Sequence, residues 1–245
     1  MIQVKFNAKT DIGNIRKVNQ DSYLINADLG LFMVCDGMGG HVGGEVASSM
    51  CCETVEKYIR QSNLPSSLDQ SVFHLALSGS INSASTRIYE EGLINHDLRG
   101  MGTTATCTII SGNILHCGHV GDSRLYLIRE GFLYLLSTDH SIVFEQLKSG
   151  LITAEEAENH RMKNIITRCV GNFEEEYVDC FSVTLQIGDY ILISSDGLHG
   201  KVKDTEICKI ILQDKLNSTE SMIALAKARG GEDNITAIIV EIGES

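Results

Sequence analysis

The chain of 245 residues has no tryptophan and a single proline, Pro65. A proline-rich linker is thereby excluded, and no stretch of composition marks a domain break. Basic side chains are scarce: Lys and Arg total 20 against 32 Asp and Glu, a formal net charge of −12. Nucleic-acid binding needs a basic surplus to neutralise phosphates, so that class of partner is disfavoured, whereas an acidic chain can hold cations. No apolar run approaches the roughly 18 residues of a membrane span, and the first twenty residues contain no signal-peptide core. No membrane association and a cytoplasmic location are therefore expected. None of the eight cysteines forms a C-x-x-C pair, and most lie in apolar runs such as Met33-Val34-Cys35. Without a secretory signal they are expected to be buried, reduced thiols, with Cys51-Cys52 half in the core and half at a helix edge.

What is present is a 43% hydrophobic composition, enough to fill a sizeable core. Short runs rich in β-branched residues predict strands at Val4-Ala8, Tyr23-Asn26, Leu31-Cys35, Thr104-Ile110, Ile114-Val120, Arg124-Arg129, Phe132-Leu136, Val178-Leu185, Tyr190-Ser194 and Ile235-Glu241. Two stripes at helical spacing follow Gly44: Val46, Ala47, Met50, Cys51, Val55, Tyr58 and Ile59, then Phe73, Leu77, Ile81, Ala84 and Ile88. Shorter helices are predicted at Ser141-Lys148, Ala154-Asn159, Thr205-Leu212 and Ser218-Lys227. Consecutive strands with paired helices early and late fit α+β better than βαβ alternation.

The aspartates fall in a pattern. Asp36-Gly37, Gly121-Asp122-Ser123, Asp196-Gly197 and Gly231-Glu232-Asp233-Asn234 each stand where an apolar strand begins or ends. Such positions can present carboxylates from rigid strand ends while glycine lets the backbone approach a ligand. Asp-Gly at a strand end is equally a turn signal, and spacing alone does not show that the four meet in space. If they meet, a carboxylate cluster without His or Cys selects a hard cation such as magnesium, manganese or calcium over zinc. Asp36 to Gly44 is a glycine-rich loop between a strand and a helix, the setting of an anion-binding loop. It is neither a Walker loop nor G-x-G-x-x-G, since position 42 is Val. His41 is the histidine of this loop, with a solvent-exposed loop residue as its plain alternative.

Seven motifs in order make the chain resemble the metal-dependent protein phosphatases of the PPM (type 2C) family, in its compact bacterial form. They are Arg16-Lys17-Val18-Asn19-Gln20-Asp21, Val34 to His41, Gly100-Met101-Gly102-Thr103-Thr104, His119 to Arg124, Asp139-His140-Ser141, Ser194 to Leu198 and Gly231 to Thr236. The resemblance implies one domain over residues 1–245, a four-layer α-β-β-α sandwich of two antiparallel sheets with helices outside, and a flap at about 141–164. It implies a binuclear centre of manganese or magnesium in which Asp36 bridges the ions and the Gly37 carbonyl binds one. Asp196 and Asp233 hold the other, Asp21 is an outer ligand, and Asp122 with Asp196 matches a weaker third ion. Arg16 is expected to bind the substrate phosphate and His41 to act as general acid. The implied activity is hydrolysis of phosphoserine and phosphothreonine in proteins by a monomer, opposing a cognate serine/threonine kinase. Gln20 departs from the pattern, standing where many relatives carry an acid, and His199 replaces the more usual Thr or Trp and is read as a plain loop residue in preference to a substrate-adjacent one.

Other arrangements are weaker. His116 and His119 fall on opposite faces of one strand, which makes a poor zinc site. Asp139, His140 and Ser141 are the residue types of a triad, but sequence neighbours cannot form its relay. A catalytically idle binding protein of the same fold is disfavoured by the complete set of Asp21, Asp36, Asp122, Asp196 and Asp233. A hydrolase of small phosphoesters is not separated from a protein phosphatase by any motif.

Overall fold

The computed structural model describes residues 2–39, 42–62, 64, 69–158, 160–162 and 164–244. Among the described residues, eleven strands form two sheets in which every pairing is antiparallel. The first sheet joins β1 (Ile2–Asp11), β11 (Ile235–Glu244), β10 (Tyr190–Ser194), β7 (Arg124–Arg129) and β8 (Phe132–Leu135), in that spatial order. The second joins β2 (Asp21–Asn26), β3 (Leu31–Met38), β5 (Ala105–Ser111), β6 (Ile114–Val120) and β9 (Asp179–Thr184), with the two-residue β4 (Gly102–Thr103) paired to β3.

Side-chain alternation explains the layers. On β3, Leu31, Met33 and Cys35 pack against α1 (Gly43–Gln61) and α2 (Gln70–Ile94), while Phe32 and Val34 face the other sheet. On β11, Ile238, Val240 and Ile242 fill the space between the sheets, and Ile235, Ala237 and Ile239 turn outward. There they meet α5 (Asp196–His199), α6 (Asp204–Asp214) and α7 (Ser218–Ala228). Strands buried on both faces are continuous apolar runs rather than alternating ones, which is how they read in the sequence. The result is the expected α-β-β-α sandwich.

The α1 stripe Ala47, Cys51, Val55 and Ile59 is buried at steps of four, and Cys52 is buried as well, not an edge residue. Asp69 caps α2 by accepting the Ser71 N–H at 3.0 Å. The excursion 141–164 carries α3 (Ile142–Lys148), capped by Ser141, and α4 (Ala154–Glu158). Two elements differ from expectation. β4 is too short to show a period, and α5 puts His199 in a helical turn rather than a loop. That turn is set by its anchor: Ser195 N donates to Thr236 O at 3.0 Å, which fixes the chain direction as it leaves β10.

Candidate active site

Antiparallel register answers whether the aspartates meet. Asp21 opens β2 and is paired directly with Asp36 near the end of β3. β10 ends beside the start of β11, with Ser194 opposite Ala237, so Asp196 and Asp233 follow and precede neighbouring strand ends. Asp122 follows β6, two strands from β3 through β5. Five segments of distant sequence thus deliver carboxylates to one end of the sandwich.

The charges act on one another. Burial pushes the Asp36 carboxyl well above the usual carboxylate range, reinforced by Asp21, Asp196, Asp122 and Asp233. Burial likewise raises Asp21 to about 7; the Thr236 and Ser195 hydroxyls oppose this, while Asp196 and Asp233 add to it. Asp122 is pushed up to about 8, first by burial and then by Asp196 and Asp139, with Arg124 opposing. Asp36 feels the other four aspartates, which places it at the electrostatic centre of the set.

Hydroxyls hold the set in place. Ser195 Oγ and Thr236 Oγ1 donate to Asp21 Oδ2 at 2.8 and 2.7 Å, while Asp21 Oδ1 is buried with no hydrogen-bond partner. Asp36 is gripped through its backbone: its N–H donates to Thr104 Oγ1 at 2.9 Å, and its carbonyl accepts from Thr104 N at 2.9 Å and from Thr103 Oγ1 at 3.0 Å. Gly37 donates its N–H to Gln20 O at 3.1 Å and lies against Gly44, so a side chain at position 37 would collide with both backbones. This contact seats the start of α1 against the rim. The functional hydroxyls Ser195, Thr236, Thr103 and Thr104 carry no role in the sequence reading. Their one signal there is that each lies within three residues of a rim carboxylate or in the Gly-Thr-Thr motif.

Arg16 reaches the rim by a 2.8 Å ion pair from Nη2 to Asp233 Oδ2, and that hydrogen bond raises its pKa further. His41 and Gly40 lie outside the described residues. Among the described residues, no group of three or more His, Cys, Asp or Glu side chains converges at metal-ligating distance, and Asp233 is turned toward Arg16. The donor set nevertheless fits hard divalent cations: it is all oxygen, it is mutually repulsive, and Asp21 keeps a buried oxygen without a hydrogen bond. Gln20, where an acid was expected, gives its backbone to Asn234 and to Gly37, and its side chain donates to Gly39 O at 3.4 Å.

The discarded arrangements are accounted for. His116 stacks on Phe73 with centroids 4.0 Å apart and bonds Ser182, whereas His119 bonds Thr106 and the Thr138 carbonyl. Asp139 makes a forked ion pair with Arg124, His140 is held by Gly121 N–H and Asp179, and Ser141 caps α3. His199 Nδ1 lies 3.4 Å from Ser194 Oγ, and burial, with Arg124 nearby, pushes its pKa well below the usual imidazole range.

A two-sheet sandwich with helices outside and aspartates gathered at one end is the architecture that the resemblance to metal-dependent phosphatases implied. The family model described as protein phosphatase 2C matches residues 16–229, and the chain belongs to that family. Protein phosphatase PhpP of Streptococcus pneumoniae is 36% identical over 242 residues, covering 96% of this chain and 96% of PhpP. The serine/threonine phosphatase of S. agalactiae superposes with a TM-score of 0.91 at 36% identity, covering 99% and 100% of the two chains. The catalytic domain of the serine/threonine protein phosphatase PstP, solved with two manganese ions, gives 0.88 at 30% identity over 100% of both chains. The chain is therefore a metal-dependent serine/threonine phosphatase.

Proposed function

We propose that Asp36, with Asp196, Asp233, Asp21 and the Gly37 carbonyl, would hold two divalent cations, manganese or magnesium, and that Asp122 with Asp196 would take a weaker third. Asp36 is assigned the bridging place. The observation that carries this reading is the Asp36 carboxyl, driven up by burial and by the four other aspartates together. Neutralising that repulsion is what cations accomplish there. When bound, two such ions supply Lewis acidity that polarises a phosphoryl oxygen and acidifies water near neutral pH.

The chain's own residues do the rest. Arg16 presents a planar fork suited to a phosphoryl group, and it stands at the rim with its side chain about half exposed. Its present partner Asp233 belongs to the proposed cation set, so cation binding would free the guanidinium for substrate. His41 is assigned the proton that the leaving serine or threonine oxygen needs, since an alkoxide is a poor leaving group. Thr103, Thr104, Ser195 and Thr236 keep the carboxylates in register throughout.

The substrates are phosphoserine and phosphothreonine in proteins, in opposition to a serine/threonine kinase acting on shared targets. The chain works in the cytoplasm as one domain and as a monomer, with 141–164 as a flap. No described helix is long and apolar enough to cross a membrane. Titration of the protein with manganese is expected to show two ions per chain, lost in part with Asp36→Asn, and hydrolysis of a phosphothreonine peptide abolished by chelation. Binding of two ions unaffected by that substitution overturns the ligand assignment. His41→Ala is expected to slow alkyl phosphates far more than p-nitrophenyl phosphate; equal losses count against His41 as the acid. Phosphoproteomics after gene deletion would name the targets.

A further inference from the structure

Asn234 follows Asp233 and is 3% exposed, and its amide is committed entirely to the backbone of one distant segment. Nδ2 donates to Ile12 O at 3.0 Å and to Val18 O at 3.1 Å, and Oδ1 accepts from Gln20 N at 2.8 Å. Three bonds to residues 12, 18 and 20 close the intervening loop at its base. The far side is tied by Asn14, whose N–H donates to Gly231 O at 2.7 Å and whose Nδ2 donates to Lys227 O and Gly230 O at 2.8 and 2.9 Å. Arg16 projects from this closed loop to Asp233, while Ile15 beside it is 68% exposed. The loop contributes nothing to a helix or strand, so side-chain hydrogen bonds shape it: these amides, with Asp11 Oδ1 accepting from Gly13 N–H and Asn19 Nδ2 donating to Thr10 Oγ1.

We propose that Asn234 is a positioning residue for the substrate phosphoryl group: it holds the 12–20 loop in the shape that places Arg16 over the carboxylate rim. The inference rests on Arg16 as the phosphate-binding group. An exposed arginine on an unrestrained loop must be ordered each time ligand binds, and fixing the loop beforehand removes that cost. The geometry requires an amide, because two donors and one acceptor are used at once. An aspartate at 234 keeps the bond from Gln20 N–H and loses both donations. Alanine or serine cannot span the three partners.

The test uses the full chain loaded with manganese, a phosphothreonine peptide as substrate and inorganic phosphate as competitive ligand. Asn234→Ala and Asn234→Asp are each expected to raise KM and the phosphate inhibition constant on the order of tenfold, the scale of two lost buried hydrogen bonds, with a far smaller change in kcat. Hydrogen exchange at amides 13–18 should speed up in the same variants. In an Arg16→Ala background, Asn234→Ala should add nothing to the phosphate constant, since contributions made through one group are not additive. Melting temperatures identify a variant that simply fails to fold, in which case Asn234→Asp carries the test. Unchanged phosphate affinity in a folded variant, or full additivity with Arg16→Ala, overturns the role of Asn234 alone. If Arg16→Ala itself leaves phosphate affinity unchanged, the Arg16 assignment falls, and this inference with it.

Discussion

Asp36 and His119 are both polar side chains folded into the sandwich, and their surroundings are opposite in kind. At the rim, burial and neighbouring aspartates raise the proton affinity of Asp21, Asp36 and Asp122, and Asp21 retains a buried oxygen with no hydrogen bond. Inside the β6 face of the second sheet, His119 has Thr106 Oγ1 and Thr138 O at 3.0 Å each. His116 has Ser182 at 2.8 Å and a parallel phenyl ring against it. One region is built to a satisfied minimum. The other is held in a repulsive arrangement by hydroxyl and backbone bonds, a state that the proposed cations would relieve. Polar groups are thus satisfied in the interior and left in mutual repulsion at the rim, where the proposed chemistry would take place.

Asp36→Asn breaks the contrast most sharply. It is expected to lower phosphopeptide turnover by roughly a thousandfold or more. The same change should raise the melting temperature of the metal-free protein, because one of the mutually repelling groups is removed; a metal-free protein made less stable would contradict the account. Phe73→Ala probes the satisfied region instead. It removes a buried ring, 1% exposed and stacked on His116, and should cost about 3–5 kcal/mol in chemical denaturation with KM unchanged.

Proton linkage separates the regions by sign. Burial pushes Asp21 and Asp122 up to about 7 and about 8, above the ordinary 3.8 of an aspartate, so the folded metal-free protein binds protons more tightly than the unfolded chain. That stability is full below about pH 4 and is lost as pH rises toward 7 to 8. His116 and His119 have folded values of about 4, below 6.5, owing first to burial. Their stability is full above 6.5 and lost as pH falls toward 4, each group contributing at most about 1.4 kcal/mol per pH unit. Calorimetric scans against pH, with and without manganese, are expected to show that the metal abolishes the alkaline loss and leaves the acid loss in place. The smallest effect concerns the thiols. Burial pushes Cys35 and Cys107 well above their ordinary range, so in the native protein they should resist a thiol reagent that labels the half-exposed Cys208 first.

Strands and long helices were legible because their cause is local. The two-sided burial of β3 and β11 forces continuous apolar runs, and the α1 and α2 stripes follow the helical period. α5 and β4 were not legible, since four and two residues carry no period and their conformation comes from Thr236 and β3 across the fold. The five aspartates stood out by type and position. Their holders did not: Thr104, Ser195 and Thr236 look like ordinary strand-end hydroxyls until register brings Thr104 to the Asp36 backbone and the other two to the Asp21 carboxylate.

The amino-acid sequence by itself determined the layered fold class, the family and the identity of the acidic residues, because hydrophobic period and motif order are properties of the chain read in one dimension. Only the tertiary structure decided that Asp21 faces Asp36, that Asp196 and Asp233 leave neighbouring strand ends, and that Asn234 closes the loop bearing Arg16. Those facts depend on antiparallel register and on hydrogen bonds between residues up to 222 positions apart, and no local pattern encodes them.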